Sequence, residues 1–364
     1  MRILIATDAW PPQVNGVVVA LANTIACLGR LGHDVQVISP EGFRTIPTPT
    51  YPEIPLAVFP GREVARRIRE VEPDAIHIAT EGPIGFAARR HCLRNRLRFT
   101  TAYHTCFPEY IALRTGLPLS LTYAMMRHFH SASSAVLVAT EALKETLVWR
   151  GFERVAVCSL GVDLELFRPA PERFTEWARP VFTYVGRLAV EKDLPAFLRL
   201  PLPGTKLVVG DGPERARLEG QFPDARFVGV KHGEELASYY QRSDVFVFPS
   251  RTETFGLVML EAMACGVPVA ALPVRGPLDV VKDPAAGVLD WNLGRAALTA
   301  LDYDRESGRR HAEQFPWEKS TNEFLSHLVP VAVSKMTSNV NNSATQSSYL
   351  RNGGSMGRAR EERA

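Results

Sequence analysis

The sequence predicts an α/β protein of two doubly wound, Rossmann-like domains, each on a parallel sheet. Three observations predict it. The chain has 364 residues, which suits two domains at roughly 150 residues each. Short runs rich in Val and Ile alternate with helical stretches, the pattern of βαβ units whose strands are covered on both faces. The alternation pauses over 164–180, LELFRPAPERFTEWARP, a stretch rich in Pro and charge, and then restarts.

The first set of strands is RILIA (2–6), DVQVIS (34–39), LAVF (56–59), AIHIA (75–79), RFTTAY (98–103), AVLVA (135–139) and VAVCS (155–159). A helix is expected from about Val18 to Leu31. The second set is VFTYVG (181–186), KLVVG (206–210), ARFVGV (225–230), DVFVFPS (244–250) and VPVAAL (267–272). The expected organisation is an N-terminal domain over 1–165, a linker over 166–180 and a C-terminal domain over 181–312. A C-terminal helical segment, 313–335, follows. The polar, Ser-, Asn-, Gly- and Arg-rich stretch 336–364 buries too little apolar surface to offset its ordering entropy and is expected to be a disordered tail. Neither domain carries a G-x-G-x-x-G dinucleotide turn or a G-x-x-x-x-G-K-[ST] phosphate loop.

Composition narrows the class further. Hydrophobic residues make up 46% and charged residues 22%, the balance of a soluble globular protein. Mean hydropathy is −0.06, and no apolar run approaches the ~20 residues that span a bilayer. The apolar run in MRILIA stops at Asp8, too early for a signal peptide, and reads as a first strand. The five cysteines are far apart and form no C-x-x-C pair, which speaks against disulfides and a structural zinc and for reduced thiols in a cytoplasmic setting. A net charge of +3 does not by itself point to nucleic acid.

The most informative segment is PSRTETFGLVMLEAMACGVPVAA, 249–271. A strand ends at Pro249, a polar turn follows, and an apolar helix is expected from about Phe255 to Cys265. Gly266 suits a left-handed C-cap. In open α/β sheets ligands bind at the C-terminal strand edge, where free N–H groups near Thr254, Phe255 and Gly256 suit an anion or a sugar. Glu253 and Glu261, eight residues apart, would be separated by about 12 Å if both lay along one helix axis. Either they grip an extended ligand, or Glu253 caps the helix and Glu261 is buried with a partner. An unpartnered carboxylate among Leu, Val and Met is costly, which favours a ligand at Glu261.

YVGRLAVEKDL, 184–194, places Arg187 and Lys192 in one turn after a strand. Two such cations suit a diphosphate; the alternative is a surface pair with Glu191. GDGP, 210–213, reads as simple turn chemistry. In the N-terminal half, DAWPPQVNGVVVAL (8–21) sets a Pro/Gly loop before the first helix, and Gly16 permits close backbone approach. His104, in TTAYHTCFPEY (100–110), and Glu81, in ATEGPIG (79–85), fall just past strands. Each also has an ordinary structural reading. Asp302-Tyr303-Asp304, the chain's D-x-D, reads as solvated surface rather than a metal site.

G-R-L-x-x-E-K at 186–192 with E-x7-E at 253–261 resembles the retaining family 4 glycosyltransferases of the GT-B fold. The PPQVNG loop, the AYHT strand end and FPWEKSTNEFL (315–325) extend the resemblance over about 1–330. It implies two Rossmann-like domains facing a cleft, with a last helix crossing back to the N-terminal domain. It implies a nucleotide-diphosphate sugar, a UDP-sugar foremost, and no tightly bound cofactor or metal. Arg187 and Lys192 would bind the diphosphate, with the Gly16 loop closing over it. Glu261 would bind the ribose, and Val230 would meet the base through backbone. Glu253 and the N–H groups of Thr254, Phe255, Gly256 and Leu257 would hold the sugar. Glu81, Tyr103 and His104 would lie on the acceptor side, His104 beside the transferred sugar. Arg275, in PVRGPLDVV (273–281), departs from the small residue common among relatives.

HIATEGPIG (77–85) with TAYHTCFPEY resembles bacterial enzymes that glycosylate membrane lipids such as diacylglycerol. Independently, Arg89, Arg90, Arg94, Arg96 and Arg98 cluster with no Asp or Glu between Gly82 and Pro108. LPLSLTYAMMRHFH (117–130) is apolar and aromatic, as an interfacial helix can be. Each basic residue near an anionic bilayer contributes about 1 kcal/mol. The expected enzyme transfers a hexose to a lipid acceptor, bound peripherally to the anionic inner face of the cell membrane. Nucleic acid is disfavoured because 85–98 holds a single Phe, Tyr or Trp, Phe86, too few for a stacking platform. A transferase acting on a soluble acceptor and a non-catalytic nucleotide-sugar-binding protein are the alternatives.

Overall fold

The computed structural model describes residues 1–48, 51–170 and 176–332, without the side chains of 51–53, 113 and 114. The expected tail, 336–364, lies outside the described residues.

Fourteen strands and fourteen helices alternate along them. The N-terminal half runs β1 (Arg2–Ala6), α1 (Gly16–Arg30), β2 (Asp34–Ile38), β3 (Thr45–Thr48), β4 (Tyr51–Ala57), α2 (Gly61–Val71), β5 (Ala75–Ile78) and α3 (Pro83–Asn95). It continues with β6 (Thr100–Ala102), α4 (Phe107–Thr115), α5 (Leu119–His130), β7 (Val136–Val138), α6 (Glu141–Trp149) and β8 (Val155–Val157). Six of its strands form a parallel sheet in the order β2-β1-β5-β6-β7-β8.

The second half runs β9 (Val181–Val185), α7 (Leu194–Leu198), β10 (Thr205–Val209), α8 (Arg215–Gln221), β11 (Arg226–Phe227), α9 (Gly233–Arg242) and β12 (Val245–Phe248). Then come α10 (Leu257–Ala264), β13 (Val269–Ala271), α11 (Pro277–Val280), β14 (Gly287–Leu289), α12 (Leu293–Thr299), α13 (Arg305–Ala312) and α14 (Trp317–His327). Its parallel sheet has the order β11-β10-β9-β12-β13-β14.

Both strand orders reverse direction once, between β1 and β5 in the first sheet and between β9 and β12 in the second. Such switch points open a crevice at the carboxyl ends of the strands. The loops there are Thr7–Asn15 and Ala79–Gly82 in one domain, and Gly186–Ala189 and Pro249–Gly256 in the other. The strands bounding them are buried on both faces, as Ile3–Ala6, Val181–Val185 and Val245–Phe248 are, because helices cover the sheets on each side.

Met1–Ala332 forms one compact unit. The chain returns at its end: Phe324 of α14 packs with Ile3, Ile5, Leu21 and Leu28 of the first domain. Arg30 on α1 pairs with Glu318 at 2.8 Å, and the Ser159 amide donates to Glu323 at 2.9 Å. This last helix is thus tethered to the first domain, while Phe167 packs with Tyr240 in the second domain's core.

Three local expectations are corrected. LAVF (56–59) does not join the parallel sheet; β4 pairs antiparallel with β3 in a separate hairpin. Pro47, Pro52 and Pro55 lack the N–H that a central ladder needs. The apolar helix begins at Leu257 rather than Phe255, because Gly256 sits at φ +91°, a conformation outside the helix. Glu253 is therefore not on that helix, and the 12 Å axial separation from Glu261 does not apply. Strand β14 has no counterpart in the sequence reading, because three residues carry too little periodicity to stand out.

Candidate active site

The two motifs read separately from the sequence converge at the second domain's switch point. Lys192, at the end of a single 3₁₀ turn Val190–Lys192, donates its Nζ to Glu253 Oε2 at 2.7 Å. Both side chains are less than one-fifth exposed. Burial works against the Lys192 charge, but Glu253 outweighs it and holds the ammonium above its usual range. The partner of Lys192 is thus Glu253, not Glu191.

Glycines set the backbone of this region. A Cβ at Gly210 would meet Gly186 O at 1.9 Å, and one at Gly212 would meet Leu188 O at 2.4 Å. The GDGP turn therefore packs directly on the Arg187 loop. The Leu188 amide donates to Asp211 O at 2.9 Å and Glu214 N to Leu188 O at 3.0 Å, so the turn also holds that loop by hydrogen bonds. Its role goes beyond the simple turn expected.

Beyond Glu253, the chain turns through Thr254, Phe255 and Gly256 into α10. Phe255 and Leu257 send their side chains into the core. No side chain caps the start of α10, which leaves its first N–H groups for solvent or a ligand. Glu261, one turn in, is buried; its Oε2 accepts from Tyr240 Oη at 2.8 Å. Burial pushes the Glu261 carboxyl up to about 7, against the pull of Tyr240. Val230, past β11, is 37% exposed.

The first domain faces this from its own switch point. Asn15 Oδ1 accepts from the amides of Val17 and Val18 at 3.0 Å, capping α1. A Cβ at Gly16 would meet nothing within 4 Å, so the protein itself leaves that approach open. The preceding loop is held by Asp8, which the sequence reading did not single out. Its buried carboxylate accepts from Thr80 Oγ1 at 2.9 Å and from the amides of Ile84 and Gly85 at 2.9 and 3.2 Å. Desolvation raises the Asp8 carboxyl above its usual range.

His104 follows β6. Its carbonyl accepts from Thr254 Oγ1 at 2.8 Å, and Tyr110 Oη reaches Thr252 O at 3.5 Å. These contacts join the loop after β6 in one domain to the loop after β12 in the other. Burial, aided by His130, lowers His104 to about 4, so the imidazole is neutral at neutral pH.

Other expected site residues are placed elsewhere. Glu81 is buried against His130 Nε2 at 3.2 Å. Tyr103 is 1% exposed and packs with Tyr123 and Phe152 in the domain core. Arg89 does not belong to a free basic face: its guanidinium donates to Phe129 O and His128 O at 2.8 Å, closing the end of α5. Arg90, Arg94, Arg96 and Arg98 are exposed. Asp304 of the D-x-D caps α13, accepting from the Glu306 and Ser307 amides. Among the described residues no group of three metal-ligating side chains occurs, and no helix is long and apolar enough to cross a membrane.

Known proteins match this arrangement. Residues 14–166 match the Glycosyltransferase Family 4 domain, and 179–294 match Glycosyl transferases group 1. A GDP-mannose-dependent α-mannosyltransferase of Mycobacterium tuberculosis is 32% identical, with 91% of this chain aligned to 97% of the relative. A sulfoquinovosyl transferase of Arabidopsis thaliana is 29% identical over 91% of this chain and 74% of its own length. Sucrose-phosphate synthase of Thermosynechococcus elongatus superposes with a TM-score of 0.71 at 20% identity, covering 89% of this chain and 97% of its own. The fold is GT-B, and the chain belongs to the family 4 glycosyltransferases.

Proposed function

We propose that the enzyme transfers a hexose, with retention of anomeric configuration, from a nucleoside-diphosphate sugar to a membrane lipid such as diacylglycerol. The observation that carries the donor half is the buried Lys192–Glu253 pair, which sets a cation and a sugar-binding carboxylate side by side at the switch point. In this reading Arg187 and Lys192 meet the diphosphate and stabilise the charge that develops on it, the main catalytic contribution. Glu253 and the N–H groups of 254–257 hold the sugar hydroxyls, Glu261 the ribose, and Val230 the base. The Gly16 loop closes over the phosphates, and the neutral His104 lies beside the transferred sugar. The leaving phosphate deprotonates the acceptor. Relatives named as GDP-mannose-dependent, 29–32% identical, are the reason to test GDP-mannose beside the UDP-sugars as donor.

The lipid half rests on one surface of the N-terminal domain. Leu117, Leu119, Leu121 and Met125 around α5 are 39–53% exposed, as is Phe86 on α3 at 43%. Phe86 stacks edge-on against Phe129 at 4.8 Å, so the two helices adjoin. Arg90, Leu93 and Arg94 share the Phe86 face of α3 by helical spacing. Apolar side chains flanked by exposed arginines suit the interface of an anionic bilayer, the cytoplasmic leaflet among them. The deciding experiment incubates the protein with GDP-mannose, UDP-glucose, UDP-galactose or UDP-glucuronate and diacylglycerol vesicles, with the product read by mass spectrometry. A glycosylated lipid from one donor is expected. Nucleotide release without any glycolipid points to a soluble acceptor.

A further inference from the structure

Polar groups from both domains gather between the sugar loop and the N-terminal domain. Arg275 follows β13 in the second domain, and Glu109 lies on α4 in the first. Arg275 Nη2 approaches Glu109 Oε1 at 3.5 Å, and Tyr123 Oη donates to the same oxygen at 2.6 Å. Glu109 Oε2 and Arg275 Nη1 have no partner, although both atoms are buried. Seven such buried side-chain atoms occur among the described residues, and two fall here.

The location ties the group to the reaction. A Cβ at Gly276 would stand 3.0 Å from Glu253 Cβ and 3.2 Å from Phe255 O, so the Arg275 backbone rests on the sugar loop. Glu109 sits five residues past His104. Side-chain exposures of 32% for Arg275 and 19% for Glu109 belong to other atoms of the pair; Nη1 and Oε2 are covered, so an acceptor group reaches them by shifting the pair. A finished Arg–carboxylate bridge is typically bidentate at about 2.8 Å. Here one oxygen takes two donors and the other none, which is an expensive arrangement for buried charged groups.

The unmet atoms define what fits. An anion would satisfy Arg275 but face the Glu109 carboxylate, and a cation would do the reverse. A neutral hydroxyl can donate to Glu109 Oε2 and accept from Arg275 Nη1 at once. We propose that Arg275 and Glu109, one from each domain, form a positioning pair that grips a neutral hydroxyl group of the acceptor beside the donor sugar. The pair deepens the transferase reading and rests on it: it selects neutral hydroxylated head groups against anionic ones, and it is complete only when the two domains meet.

The test uses Glu109→Gln, Arg275→Gln and the charge-keeping Arg275→Lys in the full chain. The donor is whichever of GDP-mannose, UDP-glucose, UDP-galactose and UDP-glucuronate the wild type turns over fastest. Three probes serve as acceptors: dioctanoylglycerol and octyl glucoside, both neutral, and dioctanoyl phosphatidylglycerol, which is anionic and carries free hydroxyls. Both Gln variants should raise KM for the neutral probes roughly tenfold or more, the scale of a lost hydrogen bond to a charged group. The ratio of transfer to donor hydrolysis should fall likewise, while nucleotide affinity by calorimetry stays within about twofold of wild type. Arg275→Lys should lie between, because it keeps the charge without the fork. Equal loss of hydrolysis and transfer, or a changed melting temperature with unchanged acceptor KM, would overturn the proposal and leave an interdomain bridge. A preference for phosphatidylglycerol that Arg275→Gln abolishes and Glu109→Gln strengthens would also overturn it, leaving an anion site. Those results spare the transferase assignment; a wild type that turns over none of the four donors overturns both.

Discussion

Glu261 offers the sharpest quantitative handle on the donor site. Its carboxyl is pushed up to about 7 because burial disfavours its charge more than Tyr240 favours it. Ribose hydroxyls would donate to that carboxylate, so nucleotide binding should prefer the ionised form and pull the group back toward its usual range. At pH 6, about one unit below the free enzyme's value, roughly one-tenth of the sites are ionised; at pH 8 roughly nine-tenths are. UDP or GDP should therefore bind about tenfold more weakly at pH 6 than at pH 8, with a proton released on binding near pH 6. The nucleotide's own terminal phosphate titrates in the same range, so the profile is read against Glu261→Gln, which shares that contribution and lacks the carboxyl. Calorimetry in two buffers of different ionisation enthalpy supplies both affinity and proton count. Stability should move the opposite way. A carboxyl raised in the folded state contributes stability that is present below the unfolded value and lost as pH rises through the folded one. That is up to about 3 kcal/mol lost between pH 4.5 and 7, and absent from the Gln variant. Identical affinity profiles in the two proteins, with no extra proton released by the wild type, would refute the ribose assignment and leave Glu261 a buried partner of Tyr240.

Lys192→Ala should lower kcat/KM roughly 100-fold or more in a steady-state nucleotide-release assay, because it removes a cation facing developing charge. It should also cost stability by about 3 kcal/mol, since Glu253 is left buried without its partner; a denaturant melt reads this separately. Asp8→Ala strips the acceptor from the Ile84 and Gly85 amides and should destabilise the fold by about 2 kcal/mol, measured by urea unfolding. Replacing Arg90, Arg94 and Arg98 by Glu should abolish binding to anionic vesicles and activity on vesicle-borne lipid, with wild-type binding weakening as salt rises. Activity of that variant on a short-chain acceptor dispersed in detergent should largely survive; equal loss on both acceptors would make the face structural.

What the sequence disclosed follows from how each feature is encoded. The two sheets are legible because each strand from RILIA to VPVAAL is a local apolar run bounded by helix or turn residues. The Lys192 and Glu253 loops are legible because strand ends and glycines mark them locally. Proline rather than hydrophobicity decided the fate of LAVF: the apolar run is real, but neighbouring prolines keep that hairpin out of the main sheet. Glu81 and Tyr103 sit at strand ends as an active-site residue would, yet side-chain direction there depends on what packs behind the strand. His130, 49 residues from Glu81, is what meets its carboxyl in the buried interior.

The features that escape sequence reading are those made by two distant segments together. Lys192 and Glu253 are 61 positions apart; each motif points to charge chemistry, but nothing local says that the lysine neutralises this carboxylate rather than Glu191. His104 and Thr254 are 150 apart, and their bond exists only because the domains face one another. Arg275 is the extreme case. In the sequence it is a large cation where a small residue is expected, with no consequence attached. Its meaning comes from Glu109, 166 positions away, and from the lone Nη1 and Oε2 that the two residues leave between them. A residue that breaks a family pattern at a domain junction is best understood by asking which buried atoms on the opposite domain remain unmatched.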